Sequence, residues 1–294
     1  MLTALAGLGG LAGCKTGGLT RIGTEIAKDK GLITEEQKTA IQKTEQSFRE
    51  SFEDLTEEEE YYIGRAVAAT LLSRYKALGD AGVTGYVNRV GRAVTLASSR
   101  PEIFNGYHFL VLDSDEVNAF AAPGGFIFIT RGTLALAADE EALACVLAHE
   151  VAHVALRHGL SAIQKGRLVE AFAILGKEAG AAWNQEELLK LTEVFEGSVG
   201  DVVRTVIEAG YSRKQETEAD RYAVEFAAAM GYDPAALVRF LESMESGAGG
   251  AGVFRTHGGA AERVADVRPL AQARAGGAGA EVRTQRFLEH KARL

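Results

Sequence analysis

Positive charge is in deficit in this chain. Its 32 Lys and Arg are outnumbered by 40 Asp and Glu, for a net charge of −8 and a pI near 5.4. The deficit argues against nucleic acid or anionic lipid as a main partner, since either needs a basic patch. Proline is scarce, 4 residues in 294, against 34 glycines. That balance favours long helices joined by Gly-containing turns. Cysteine is limited to Cys14 and Cys145, in unrelated surroundings. Uninterrupted apolar runs of about 18 residues, the length of a membrane span, are missing. Residues 171–183 come closest and are broken by Lys177 and Glu178. The body of the chain therefore reads as soluble, and it contains no internal repeat.

What is present is ordinary for a globular protein with a real core: 47% hydrophobic and 24% charged residues. Cys145 lies in an apolar helical stretch and reads as a buried small hydrophobe. Cys14 ends an apolar run over residues 2–13 that is rich in small residues and too short to span a bilayer. Leu11-Ala12-Gly13-Cys14 resembles a bacterial lipobox, where a signal peptidase cuts before the cysteine and lipid is attached to it. No Lys or Arg precedes the run, so the positive n-region is missing. The alternatives are an ordinary secretory signal or a disordered apolar terminus. Lys15 stands where an acidic residue would favour inner-membrane retention, which points to the outer membrane. The expected divisions are a signal peptide over 1–13, a lipidated Cys14 with spacer and lead-in helix over 14–53, one domain over 54–270, and a tail over 271–294. The membrane enters only through the N-terminal lipid.

Residues 34–52 carry weak helical periodicity. Thr56-Glu57-Glu58-Glu59 is a capping-box pattern, predicting a helix to about residue 78 that buries Ile63, Val67, Leu71 and Leu72. Val83, Val87, Val90 and Val94 predict a second helix over 83–97. Residues 107–112 and 126–129 read as strands, with Pro123-Gly124-Gly125 as the turn before the latter. A long helix is predicted over 139–157, capped by Gly159. Residues 160–205 read as helical with a loop near 197–200. Further helices are expected over 216–230 and from Asp233-Pro234 through Met244, then a flexible loop over 247–252, a Gly/Ala-rich linker over 273–279 and a basic end. The fold class is α+β and predominantly helical, with a small sheet beside the central helix.

His149-Glu150-Val151-Ala152-His153 carries the chemistry. Two histidines four apart share a helix face and can reach one metal ion, and Glu150, about 100° round from the first, can poise a water. Catalytic zinc takes three protein ligands and keeps one open position. Glu216 and Asp220, four apart on a predicted helix, offer a third ligand and an acceptor for a ligating histidine's ring N–H; by themselves they could equally be a solvated face. Glu218 is expected at the surface. His158 is expected as a cation at the helix end on the opposite face, and His108 and His290 as structural or surface residues.

Several motifs together resemble the M48-type (Ste24/HtpX-like) zinc metallopeptidases in their soluble periplasmic branch. They are Asn118-Ala119-Phe120-Ala121-Ala122-Pro123-Gly124-Gly125-Phe126-Ile127, Arg131-Gly132-Thr133-Leu134, the His149–His153 motif, Tyr211-Ser212-Arg213 leading to Glu216 and Ala219-Asp220, and Thr256-His257 with Arg263. The resemblance covers roughly residues 50–270. It implies a gluzincin-like fold, one Zn2+ per chain held by His149, His153 and Glu216, and Glu150 as general base. Gly258-Gly259 follow His257 where the family commonly has Pro, which loosens that loop. His257 is expected to close over the metal or steady the oxyanion, the alternative being a surface-loop histidine.

The expected reaction is hydrolysis of peptide bonds, with His257, Tyr211 or Arg213 as candidate oxyanion donors. Substrate is expected as an added strand on an edge formed by Phe126, Ile127, Phe128 and Ile129. Main-chain recognition suits unfolded or misfolded envelope proteins in a bacterial periplasm. A non-catalytic chaperone or scaffold, and a zinc hydrolase of cell-wall amides, are the competing functions.

Overall fold

The computed structural model describes residues 55–163, 167, 185–246, 257, 259–274, 276 and 279–294. Cys14, the apolar run before it, the lead-in helix expected over 34–52 and the loop expected over 247–252 lie outside the described residues. Among the described residues, no helix is long and apolar enough to cross a membrane.

Helix α1, Glu57–Arg74, starts at the expected capping box: Thr56 Oγ1 accepts from Glu59 N at 3.2 Å, and Glu59 Oε2 accepts from Thr56 N at 2.8 Å. It buries Ile63, Val67 and Leu71. Leu72, expected inside, is 43% exposed, because one residue beyond Leu71 the helix has turned about 100°. The helix stops early because the chain then pairs with the sheet, Leu78 N donating to Val111 O at 2.8 Å. Asp80 caps α2, Ala81–Thr95, whose Val83, Val87, Val90 and Val94 all face the core.

The sheet has three strands, β1 His108–Leu112, β2 Ala119–Ala122 and β3 Phe126–Thr130, in the order β1-β3-β2. β1 runs parallel and β2 antiparallel to β3. The strand expected to offer a free edge, Phe126 to Ile129, is therefore the central one, hydrogen-bonded on both sides. β2 makes the difference. Its Ala119-Phe120-Ala121-Ala122 carries little strand signal, yet the tight turn Pro123–Gly125 folds it back as a hairpin. The far side of β1 is covered by residues 76–78 and by Asn88 of α2, bonded to both the N–H and the carbonyl of Phe109. The turn also seats α1. Gly124 has φ +67°, and a Cβ on Gly64 would lie 1.7 Å from Pro123 O, so α1 rests directly on the hairpin backbone.

A short helix α3, Arg131–Leu136, leads to α4, Glu140–Ala155, capped by Asp139. Every residue of α4 is buried, which makes it a central helix with no solvent face. It packs against α2, β2, α6 (Arg213–Ala229), α7 (Ala235–Glu245) and α9 (Ala280–Lys291). Cys145 is fully buried within it. The helix ends sooner than expected, and Gly159 is not its cap. Arg157 takes the left-handed conformation instead, at φ +56°.

Helix α5, Gln185–Val203, passes unbroken through Gly197 and Gly200, where a loop was expected. Burial of Val194, Ser198 and Val202 outweighs the cost of about 1 kcal/mol per helical glycine. A π-helical turn, Arg204–Ala209, follows before α6. After α8, Ala260–Gln272, the basic end folds into α9. Arg286 of α9 forks onto Glu140, which is wholly buried and also accepts from Tyr86 and Tyr232 hydroxyls at 2.7 and 3.2 Å. The last helix is thus fastened to the start of α4.

Gly64→Ala should lower the free energy of unfolding by about 3 kcal/mol, since the added methyl meets backbone rather than a movable side chain. Urea denaturation measures it, and a loss under 1 kcal/mol would mean that α1 is free to shift off the turn.

Candidate metal centre

The hydrogen-bonding period of α4 puts His149 and His153 one turn apart on one face. Helix α6 crosses that face and presents Glu216 and, one turn later, Asp220, its start fixed by the Ser212/Gln215 capping box. The residue that completes the group is His257, just before α8. One donor atom each from His149, His153, Glu216 and His257 lies within 4.8 Å of the other three. His149 Nε2 is 3.0 Å from His153 Nε2 and 3.4 Å from Glu216 Oε2. His257 Nδ1 is 3.3 Å from His149 Nε2 and 3.1 Å from Glu216 Oε1. None of the four residues is more than 9% exposed. The loosened loop therefore does not keep His257 out of the group.

The protons in this cluster make it fit a cation. Asp220 Oδ1 lies 2.9 Å from His149 Nδ1 and accepts its ring N–H, leaving His149 Nε2 aimed inward. His153 Nδ1 is occupied 2.9 Å away by His158, so its Nε2 is the nitrogen that points inward. Burial and Arg263 push the His149 imidazole down, but Asp220 and Glu216 outweigh them and raise it to about 9, so a proton lies between His149 Nε2 and its neighbours where a metal cation would take its place. Glu216 Oε2 is buried and accepts no hydrogen bond, although Arg263 Nη1 lies 3.2 Å from it as an ion-pair partner. Burial alone would raise the Glu216 carboxyl, but His257 and His149 outweigh it and hold the group well below the usual carboxylate range.

Glu150 lies beside this cluster, 2% exposed, and its Oε2 has no hydrogen-bond partner. Burial pushes its carboxyl above the ordinary range. His257 Nε2 is 3.6 Å from Glu150 Oε1 and donates to Ala119 O at 3.2 Å. The Tyr211 ring stacks on His153, centroids 4.0 Å apart, and its hydroxyl donates to Ala121 O at 3.1 Å. Ala119 and Ala121 are the β2 residues whose carbonyls face away from β3, so both side chains sit along the edge that no other described strand pairs with. Of the three candidate oxyanion donors, Arg213 is elsewhere: it is 68% exposed and paired with Glu262.

Sequence reasoning passed over three participants. Arg263, noted only as part of a motif, is buried and forks onto Asp220 at 2.6 and 2.7 Å. It also donates to His257 O at 3.0 Å and lies 3.2 Å from Glu216. Its six-residue spacing from His257 was the one available signal. His158, expected as a helix-end cation, is buried against His153, because the left-handed Arg157 turns the chain back. Glu218, expected at the surface, is only a third exposed and lies 3.7 Å from His158. The other two histidines lie away from the cluster: His108, exposed on β1, stacks on Phe126, and the His290 ring lies tilted 4.2 Å from that of Tyr86.

Two outcomes follow. Arg263→Met leaves Asp220 and Glu216 buried without their cation and should cost about 3–5 kcal/mol in chemical denaturation; a loss below 1 kcal/mol would mean the pair contributes no net stability. Chelator treatment should lower the unfolding temperature. Restoring metal at a hundredfold excess over its Kd should return about 2.7 kcal/mol, and an unfolding curve indifferent to metal would contradict the cation fit.

The comparison with known families agrees with this geometry. The model of Peptidase family M48 matches residues 83–271, from α2 to α8, and so includes every residue of the metal-binding cluster and its supporting contacts. The beta-barrel assembly-enhancing protease of Escherichia coli (strain K12) is 29% identical over 171 residues, 57% of this chain and 34% of that protein. Metalloprotease LoiP of the same organism is 27% identical over 181 residues, 60% of this chain and 68% of that protein. The mitochondrial metalloendopeptidase OMA1 of Schizosaccharomyces pombe is 30% identical over 170 residues, 56% and 45%. The match thus spans about a third of the length of the first relative. A family match across the buried helix, its crossing partner and the sheet beside them, joined to a cluster that fits a metal ion, places the chain in peptidase family M48.

Proposed function

We propose that this chain is a zinc endopeptidase that cleaves extended, unfolded or misfolded stretches of cell-envelope proteins, with His149, His153 and Glu216 as ligands and Glu150 as general base. One observation carries the reading. Five of the separations between donor atoms of the buried cluster, counting either oxygen of Glu216, run from 3.0 to 3.5 Å, and one donor atom from each of the four residues lies within 4.8 Å of the others. Four ligands placed tetrahedrally at zinc's usual bond lengths of 2.0–2.1 Å stand about 3.3 Å apart. Imidazole and carboxylate donors in a dry pocket also suit zinc. His257 then takes the position that a reacting molecule needs, and its withdrawal opens the site.

Zinc, when bound, polarises the scissile carbonyl and acidifies a water. The chain's own residues do the rest. Glu150 Oε2, buried and without a partner, accepts the attacking water's proton and delivers it to the departing amine nitrogen. Its carboxyl, raised by burial, suits a group that must both take and release a proton. Tyr211 and His257 remain as donors to the oxyanion. Substrate pairs with β2, since Phe126, Ile127, Phe128 and Ile129 support that strand from behind. Beside His149 and Glu150, a pocket lined by Val117, Val146, Leu237, Phe240, Leu241 and Met244 would take an apolar side chain next to the scissile bond.

The envelope assignment draws on two things: the name of a relative that speaks of beta-barrel assembly, and the lipobox-like Leu11-Ala12-Gly13-Cys14, which would tether the chain to a bacterial outer membrane on its periplasmic side. The complete set of His149, Glu150, His153 and Glu216 weighs against a pure chaperone or scaffold. A groove shaped for main chain weighs against cell-wall amides.

Glu150→Gln should keep one zinc per chain and lose casein cleavage by about 10²- to 10⁴-fold. Cleavage at the wild-type rate would remove Glu150 from the chemistry. Full biological activity of the zinc-loaded but inactive variant would favour the scaffold. Peptides differing only at the residue beside the scissile bond should favour Leu over Asp by about 10- to 200-fold in kcat/KM, and equal rates would exclude the apolar pocket from binding.

A further inference from the structure

The two histidines of α4 differ in what holds them. His149 has the carboxylate of Asp220 on its Nδ1. The corresponding nitrogen of His153 faces another imidazole, His158 Nδ1 at 2.9 Å, with ring centroids 4.9 Å apart and planes at 72°. His158 is 5% exposed, and its second nitrogen, Nε2, lies 3.7 Å from Glu218 Oε2 on α6, two residues beyond Glu216.

The backbone is built to bring this about. At the end of α4, Arg157 N donates to Val154 O and His158 N to His153 O, both at 3.0 Å. This is the paired closure of a helix end that ordinarily has glycine at the left-handed position. Here the position is held by Arg157 at φ +56°, a conformation costing a residue with a Cβ about 1–2 kcal/mol. The arginine is anchored: its Nε lies 3.1 Å from Glu60 Oε2, and buried Glu60 also receives Arg100 and the N–H of Gly124. The surroundings therefore enforce a turn whose visible product is the placement of His158.

The direction of the His153–His158 hydrogen bond follows from chemistry. A histidine that gives its Nε2 lone pair to a metal carries its proton on Nδ1, and that N–H needs an acceptor. His158 Nδ1 is the acceptor in place, which puts the His158 proton on Nε2, facing the carboxylate. We propose that His158 and Glu218 are positioning residues for His153, a carboxylate–imidazole–imidazole chain that fixes the ligand's ring and strengthens its hold on the metal. The inference rests on His153 being a ligand, as proposed above.

The test is zinc affinity of the full chain by chelator competition, with the visible spectrum of the cobalt-substituted protein as a second readout. His158→Leu should weaken zinc binding by about 10- to 100-fold. His158→Asn, whose side-chain oxygen accepts the same N–H, should recover most of that loss. Glu218→Leu should weaken binding several-fold and shift the cobalt spectrum, and its partial exposure makes it the variant that folds most readily. Wild-type affinity in His158→Leu, or no recovery in His158→Asn, overturns the proposal. If neither His158 variant folds, Glu218→Leu decides alone, and wild-type affinity there overturns it. Absence of zinc binding in the wild type would instead defeat the metal reading, and this inference with it.

Discussion

Imidazole nitrogens that face one another at the centre of the molecule set the terms for everything around them. His149 and His153 project from a helix with no solvent face, toward a carboxylate and a third imidazole, with donor atoms as close as 3.0 Å. The cluster is short of protons for so many acceptors, and those it holds sit between imidazoles and the Glu216 carboxylate, as at His257 Nδ1 and Glu216 Oε1, 3.1 Å apart. The side chains are buried. The cluster fits a cation, provided that each side chain is prevented from turning away.

The surrounding structure supplies those restraints. Asp220 and His158 hold the two rings of α4 from behind. Asp220 is itself a buried charge and is matched by the fork of Arg263, whose remaining N–H reaches the carbonyl of His257. A single guanidinium thus ties the two carboxylates of α6 to the backbone of the residue opposite. The helix bearing the histidines is fastened at both ends as well. Glu140 is clamped by Arg286, Tyr86 and Tyr232 at its start, and Arg157 is tied to Glu60 at its finish. Breaking a buried pair by removing one partner is far more damaging than never having built it. Charges at these places therefore serve alignment more than net stability.

This division explains what could be read from the residues beforehand. Helices with a clear period and a cap, such as α1 and α2, were legible because their signals are local. His149 and His153, and on a second helix Glu216 and Asp220, were legible as neighbours because a spacing of four within each helix dictates a shared face; that the two faces meet came only from the resemblance and the helix context. The sheet order was not, since Ala119 to Ala122 owe their strand to a turn and a neighbour rather than to β-branched side chains, and so the central strand was taken for an edge. Gly197 and Gly200 were misread because packing overrides local propensity. His158 was misplaced because a straight helix carries it to the far side, and nothing local announces that Arg157 adopts a conformation that glycine ordinarily takes.

The outer edge of β2 connects these restraints to catalysis. Its two outward carbonyls, on Ala119 and Ala121, accept from His257 and from Tyr211. A peptide that pairs with this strand needs the same two acceptors, so its entry and those contacts exclude each other. The exchange is close to even in hydrogen bonds, since main-chain N–H groups replace a ring N–H and a hydroxyl. What tips it must come from elsewhere, and the apolar pocket beside Glu150 is the available source. Fully burying one Leu- or Phe-sized side chain contributes about 1.5–3 kcal/mol, which is about ten- to more than a hundredfold in favour of the open arrangement. A folded protein keeps such side chains inside and its main chain paired, and so offers neither. An unfolded segment offers both at once. On the proposed reading, then, preference for unfolded substrate needs no separate recognition site: it follows from an edge that is already occupied and a pocket that rewards its release.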